Sequence, residues 1–246
     1  MKSIAMIPAR YAASRFPGKL MQMLGEKTVI RHTYENTVAT RLFDEVMVVT
    51  DNDLIFNEIT HYGGYAVRSK GTYESGSDRI AEAVADIEVD VVVNVQGDEP
   101  FVRREPLLKL LSVFEGDITH QIKVASLMLS LKDEARINDP NVVKVVVDKH
   151  MNSLLFSRSV IPYPRSASLA TAYFEHVGVY AFRKQALLDF TTWPITPLEE
   201  IENIECLRYL ENGIPLKMVL SEYMAGKIDT PADLENAILL LNQYGS

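Results

Sequence analysis

The sequence predicts an α/β fold in which a doubly wound, mostly parallel sheet carries an antiparallel lobe. Three observations point to it. Short Val- and Ile-rich runs alternate with helical patterns in the first part of the chain. Apolar runs in the later part follow one another with little helix between them. Two late segments, "TPLE" and "TPAD", then carry helix-start chemistry.

The elements are read in order. Ile4–Ile7 is a first strand, Glu45–Thr50 ("EVMVVT") a second and Tyr65–Arg68 a third. Val89–Val95 ("VDVVVNV") is the strongest. Between them, 28–40, 53–62 and 78–86 read as helices. Unbroken β-branched runs are expected of strands buried on both faces, and helical crossovers keep such strands parallel. Further on, Val142–Val147, Leu154–Arg158 and Val177–Phe182 read as antiparallel strands, a flap or a dimerisation lobe. In "TPLE", Thr196 is the N-cap, Pro197 opens the helix and Glu199 completes a capping box. Thr230, Pro231 and Asp233 repeat the device. The first of these two helices is expected to bury Leu198, Ile201, Ile204 and Leu207, and the second carries an apolar stripe through Leu234 and Leu241.

Composition bounds the function. Hydrophobic residues make up 47% and charged residues 24% of the 246, enough apolar matter to close a core. A net charge of -8 argues against nucleic acid as a general partner, because phosphate backbones call for broad basic surface. It leaves room for a small local anion site. The single Cys206 excludes an internal disulfide and a cysteine-rich metal centre, and reads as a small apolar filler. No apolar run approaches the ~20 residues that span a bilayer, and no charged-then-apolar leader opens the sequence. A cytosolic protein is expected.

Against that acidic balance, the stretch "MIPARYAASRFPGK" after the first strand holds Arg10, Arg15 and Lys19, and no acid precedes Glu26. In open α/β sheets, ligands bind beyond the carboxyl ends of the strands. Gly18 and the small residues Ala12, Ala13 and Ser14 allow close approach, so the loop reads as an anion cradle or, equally, as a solvated basic loop. No G-x-G-x-x-G is present, and Ser77 stands where a P-loop spacing from Gly71 and Gly76 needs lysine. In "VNVQGDEP" a buried strand ends at Gln96, Gly97 and Asp98, a good place for a metal ligand, although Gly-Asp and Glu-Pro also form turns. Asp229, just before the N-cap Thr230, is a helix-terminus charge that can pair with Asp98 to make a Mg2+ site.

Three further groups are weaker. In "ESGSDR", Ser75 and Gly76 open a helix and can serve a base or phosphate, or simply cap it, and Arg79 is then a surface ion pair. His176 and Tyr180 point the same way on a strand, into a pocket or a core. Arg158 offers a cation to an acidic substrate, and Glu202 and Glu205 share the capped helix as a solvated face.

Taken in order, "IPARYAASRFPGK", "ESGSDR", "VNVQGDEP", "DPNVVK", "LLFSRSVIPYPR", "EHVGVYAFR", "TPLEEIENIECLR" and "IDTPADLE" resemble the 3-deoxy-manno-octulosonate (Kdo) cytidylyltransferases over nearly the whole chain. The resemblance implies a nucleotide-diphospho-sugar transferase fold, Rossmann-like, in one domain over 1–246. About 1–130 is then the nucleotide-binding half and about 131–195 the sugar-binding and dimerisation lobe, with 196–246 as C-terminal helices completing the site. It implies a homodimeric enzyme that makes CMP-Kdo and pyrophosphate from CTP and Kdo for lipopolysaccharide assembly, with Mg2+ as cofactor. It further implies that Arg10, Arg15 and Lys19 bind the triphosphate, and that Ser75, Gly76 and Arg79 match the nucleotide-side motif. Asp98 and Asp229 are then the Mg2+ carboxylates, with Arg10, Lys19 and both aspartates the catalytic set. Gln96, Arg158, His176, Tyr180 and Glu205 match positions around the sugar acid. Two departures stand out. Leu20 follows Lys19 where the family usually has proline, and Cys206 stands where it commonly has glutamine. Cysteine lacks an amide's donors and strong acceptor, so a modified (8-amino) Kdo is an alternative substrate. Sialic acid and a catalytically silent nucleotide-binding protein are the others.

Overall fold

The computed structural model describes residues 1–12, 16–71, 73, 75–166, 171–223 and 226–244. The chain forms two compact units, 1–107 with 225–246, and 108–224.

The first unit opens with β1 (Ser3–Ala9), then a short hairpin of β2 (Met23–Leu24) and β3 (Lys27–Thr28). There follow α1 (Val29–Ala39), β4 (Glu45–Thr50), α2 (Asp53–His61), β5 (Ala66–Arg68), α3 (Gly76–Val84) and β6 (Val91–Asn94). The three long pairings of this half are parallel, in the order β6-β1-β4-β5. Ile7 pairs with Val48 and Met6 with Asn94. Ile4, Met6, Val48, Val49, Val92 and Val93 are fully buried, as unbroken apolar strands require. The chain runs β1, β4, β5 to one side and then returns to place β6 on the other side of β1. The order therefore reverses between β1 and β6. A crevice at such a reversal, outside the carboxyl ends, is where open α/β sheets bind ligands.

A twelve-residue helix, α4 (Arg104–Glu115), carries the chain out of this unit. The sequence reading passes over it, although Leu107, Leu110, Leu111 and Phe114, all buried, stand at the helical spacing.

The second unit contains β7 (Val124–Leu131), α5 (Glu134–Asn138), β8 (Lys144–Val147), β9 (Ser153–Ser157) and β10 (Tyr173–Arg183). It continues with α6 (Lys184–Phe190), α7 (Pro197–Glu202), α8 (Leu207–Glu211) and β11 (Lys217–Ser221). Strands β7, β10, β8 and β9 pair antiparallel in that order, as expected, and β11 adds a parallel edge on β7. Rings pack in a chain through its core: Phe156 edge-on to His176, His176 tilted on Tyr180, Tyr180 stacked on Phe182 and Phe182 on Tyr209, at centroid distances of 4.8, 5.4, 5.7 and 6.0 Å. Finally α9 (Pro231–Tyr244) belongs to the first unit.

One expected helix is corrected. The segment after Thr196 is not a single helix with a buried stripe. It stops at Asn203, which takes a left-handed conformation (φ 51), and α8 starts afresh at Leu207. Ile204 and Leu207 are buried, but Ile201 is 80% exposed and Leu198 is exposed too. The threefold spacing crosses a chain reversal and so describes no one face. Glu202 and Glu205 are corrected with it. The helix ends at Glu202, whose carboxylate accepts from Ser157 Oγ at 2.6 Å and from the Arg158 N–H at 2.9 Å, so it is no solvated face.

Candidate active site

The strand order brings the loop after β1 and the loop after β6 together. Lys19 follows the first, in a turn that Gly18 makes possible: φ is 67°, the left-handed region, and its N–H donates to the Tyr11 carbonyl at 3.1 Å. Asp98 follows the second. Helix α1 pins that loop, with Thr33 Oγ1 donating to the Gly97 carbonyl at 2.9 Å and Asn36 Nδ2 to the Pro100 carbonyl at 2.6 Å. Gly97 is required by close approach, since a Cβ there lies 3.1 Å from the Pro8 carbonyl oxygen.

Asp229 arrives from the other end of the chain. The Ile228 N–H donates to the Asp98 carbonyl at 3.0 Å, which ties the segment before α9 to the β6 loop. The capping box at α9 then fixes Asp229. The Asp233 carboxylate accepts from the N–H groups of Asp229 and Thr230 at 3.0 and 2.8 Å, and the Asp233 N–H donates to Thr230 Oγ1 at 3.2 Å.

The two aspartates share one ammonium. Lys19 Nζ donates to Asp98 and, at 2.7 Å, to Asp229. Their oxygens therefore converge within the span of a single cation. Asp98 Oδ1 is buried with no hydrogen-bond partner among the described residues, a cost that a ligand to that oxygen would remove. Hard carboxylate oxygens of this number suit Mg2+, which keeps one or two protein carboxylates and completes its octahedron with phosphates and water. Among the described residues no group of three or more His, Cys, Asp or Glu side chains is placed to hold a metal.

A pocket of about 240 Å³ opens here, lined by Arg10, Lys19, Ser75, Gly76, Arg79, Gln96, Asp98 and Asp229. Every described nucleotide-side and metal-side residue expected from the sequence is thus in one place. Arg15, with Ala13 and Ser14, lies outside the described residues. Ser75 caps α3, its hydroxyl accepting from the Ser77 N–H at 3.1 Å. Arg79 is buried rather than a surface ion pair: it donates to Ser69 Oγ at 2.6 Å and to Asp51 at 3.2 Å. Gln96 Nε2 reaches Asn94 Oδ1 at 3.3 Å.

Two pocket groups escape the sequence reading. Lys227, which also lines the pocket, stands 3.3 Å from Asp229 and 3.9 Å from Asp98. Burial alone would lower its pKa, but the Asp98 and Asp229 charges outweigh it and raise the pKa. Its signal was the alternation over 227–229: Ile228 is buried, and its neighbours Lys227 and Asp229 are less so. The second is Glu99. Burial, reinforced by the Asp98 charge, pushes its carboxyl from 4.5 up to about 8. That shift favours its protonated form at neutral pH. "Glu-Pro" reads as a turn, and no local pattern betrays a buried acid.

The remaining candidates lie in the second unit. Arg158 is held by carbonyls: its Nε donates to Glu202 at 2.6 Å, Nη1 to Pro140 at 2.9 Å and Nη2 to Asn203 at 3.2 Å. His176 Nε2 meets Ser126 Oγ at 2.9 Å, and burial brings its pKa down to about 3, so the ring is neutral. Tyr180, its pKa raised by burial, is hydrogen-bonded to the Cys206 thiol, which burial likewise keeps protonated. Glu205 sits half-buried in the turn between α7 and α8.

A parallel sheet that gathers cations, a helix N-terminus and a carboxylate pair at its reversal point is built to receive a nucleoside triphosphate, and the chain is a nucleotidyltransferase by descent. Residues 4–220 match the family model described as Cytidylyltransferase. A 3-deoxy-manno-octulosonate cytidylyltransferase from Flavobacterium johnsoniae is 58% identical over 98% of this chain and 99% of its own. One from Christiangramia forsetii is 55% identical, over 97% and 96%. The solved structure of CMP:2-keto-3-deoxy-manno-octonic acid synthetase complexed with CTP superposes with a TM-score of 0.93 at 36% identity, covering 99% of both chains. The chain belongs to the 3-deoxy-manno-octulosonate cytidylyltransferase family.

Proposed function

We propose that this chain transfers CMP from CTP to Kdo, giving CMP-Kdo and pyrophosphate for lipopolysaccharide assembly, and that it works in the cytoplasm. The observation that carries the reading is the Lys19 ammonium shared by Asp98 and Asp229 at the floor of the pocket. No helix among the described residues is long and apolar enough to cross a membrane. The names of the relatives favour Kdo over its 8-amino form and over sialic acid, and Cys206, buried against Tyr180, presents no donor set that asks for a modified sugar.

The chemistry is an in-line attack of the sugar's anomeric hydroxyl on the α-phosphorus, with pyrophosphate leaving. Such transfers depend on positioning and on neutralising charge. CTP brings about four negative charges and the sugar carboxylate one more, so repulsion between the reactants is the first obstacle. Arg10, Arg15 and Lys19 answer it along the triphosphate. An ammonium has three N–H donors; Lys19 spends two on the aspartates and turns the third to the charge growing on the α-phosphate or leaving oxygen. Ser75, Gly76 and Arg79 hold the nucleotide, Arg79 kept rigid by Asp51 and Ser69. Asp98 and Asp229 are the residues that would hold Mg2+, which when bound neutralises phosphate charge and polarises its oxygens. Gln96, Arg158, His176, Tyr180 and Glu205 are assigned to the sugar acid, Arg158 to its carboxylate and the neutral His176 to a hydroxyl. In the functional division, about 1–130 serves the nucleotide, about 131–195 the sugar and dimerisation, and 196–246 completes the site.

The test is pyrophosphate release from CTP that needs both Mg2+ and Kdo. Release equally fast with sialic acid, or none with any sugar acid, rejects the reading. Asp98→Asn and Asp229→Asn are each expected to raise the Mg2+ concentration needed for half-maximal rate by about tenfold or more, the loss of one charged ligand. An unchanged metal requirement in both variants removes the metal assignment. A homodimer is proposed through the second unit, which leaves Leu154, Tyr163, Ile195 and Ile201 61–84% exposed; sedimentation should give twice the chain mass, and a monomer at micromolar concentration overturns it.

A further inference from the structure

Lys227 stands outside every motif that marks the site, yet its ammonium faces both aspartates. It differs from Lys19 in two ways. Lys19 makes two direct bonds to the carboxylates, and its side chain is 15% exposed. Lys227 stands back at 3.3 and 3.9 Å, and its side chain is 49% exposed. A loosely held lysine on a four-carbon stem reorients at little cost, whereas a doubly bonded one does not.

The charges decide what it does. Asp98 and Asp229 together carry two negative charges, and Lys19 and Lys227 balance them. A divalent cation on the same pair makes one ammonium redundant, and like charge drives the looser one away. Lys227 lines the pocket that also holds Arg10 and Lys19, so an anion in that pocket is the nearest place for its charge to go. We propose that Lys227 is a mobile counter-cation: it guards the aspartate pair before substrates arrive, then swings to the phosphates of the nucleotide or pyrophosphate. This rests on the cytidylyltransferase reading given above.

The inference requires two affinities to move in opposite directions. Without nucleotide, Lys227 competes with a divalent ion for Asp229. With nucleotide, it adds a charge-assisted contact. In the full-length chain, Lys227→Met is expected to bind Mn2+ alone about three- to tenfold more tightly, as an unscreened competitor is lost, and CTP with saturating Mg2+ about tenfold more weakly. Lys227→Arg should recover most of the CTP affinity. Titration calorimetry without Kdo reads both constants, and Lys149→Met, in an exposed turn, controls for the change in net charge. If both affinities fall together, Lys227 is only a scaffold residue and the inference is overturned. If neither moves, or Lys149→Met moves them equally, it is overturned too. A wild-type chain that binds no CTP rejects the functional reading and this inference with it. Wild-type binding of CTP matched by Lys227→Met rejects this inference alone.

Discussion

Lys19→Ala is expected to fold and to release pyrophosphate on the order of 10²–10³-fold more slowly than the wild type, the usual consequence of deleting one preorganised donor to developing charge. The ammonium does two things in the structure. It draws Asp98 and Asp229 onto one point, and it sits at the floor of the pocket where the triphosphate is proposed to lie. Without it, two largely buried carboxylates face each other, with Lys227 the next ammonium at 3.3 Å from Asp229. Leaving a buried charge unpaired is costly. The variant should therefore also melt at a lower temperature in EDTA and recover part of the loss when Mg2+ is added. Rate assays and thermal melts with and without Mg2+ check both halves. Near-normal turnover contradicts the catalytic role, and a melt indifferent to Mg2+ contradicts the shared cation site.

Glu99→Gln is expected to remove a pH dependence of stability. Glu99 has its folded pKa at about 8 and its ordinary value at 4.5, because burial and then the Asp98 charge oppose ionisation. Between those values the folded state holds a proton that the unfolded state has released. Stability from this group is therefore fully present below about 4.5 and declines as pH rises, until the loss is complete above about 8. At roughly 1.4 kcal/mol per unit of separation, the loss is on the order of 5 kcal/mol. The amide cannot ionise, so the variant escapes it. Denaturant melts of both proteins in EDTA, across that range, should diverge steadily with rising pH. Parallel curves would mean that Glu99 ionises in the folded chain as easily as in the unfolded one. The Asp229 and Lys227 charges act on the same carboxyl in opposite senses, so Mg2+ bound to the pair should shift the divergence.

How far the sequence reading reached depended on the range of the forces involved. The parallel strands were legible because a strand buried on both faces must be apolar throughout, and "EVMVVT" and "VVVN" need no context to say so. The reading of α9 was legible because a capping box is local chemistry, closed within four residues, and Asp233 makes the bonds that "TPAD" implies. The same logic failed at Ile201. Periodicity assumes one axis, and Asn203 breaks the axis after six residues. From the residues alone a surface ion pair and a nucleotide contact are both open for Arg79, because its partner, Asp51, is distant in sequence and comes from the turn after another strand. His176 and Tyr180 could be core or ligand contacts on sequence grounds, and they form part of a chain of ring contacts running from Phe156 to Tyr209.

By itself, the sequence determined which residues had chemistry to offer: an acid-free cationic loop in an acidic protein, a carboxylate at a strand end, another beside a capped helix. These are properties of composition and of bonds spanning a few residues. Only the tertiary structure decided that they meet. Placing β6 on the far side of β1 from β4 brings Lys19 and Asp98 together, and the bond from the Ile228 N–H to the Asp98 carbonyl brings in Asp229 and, with it, Lys227. Glu99 was decided there as well. A pKa is set by what surrounds a carboxyl, and its surroundings come from segments more than a hundred residues apart in the chain.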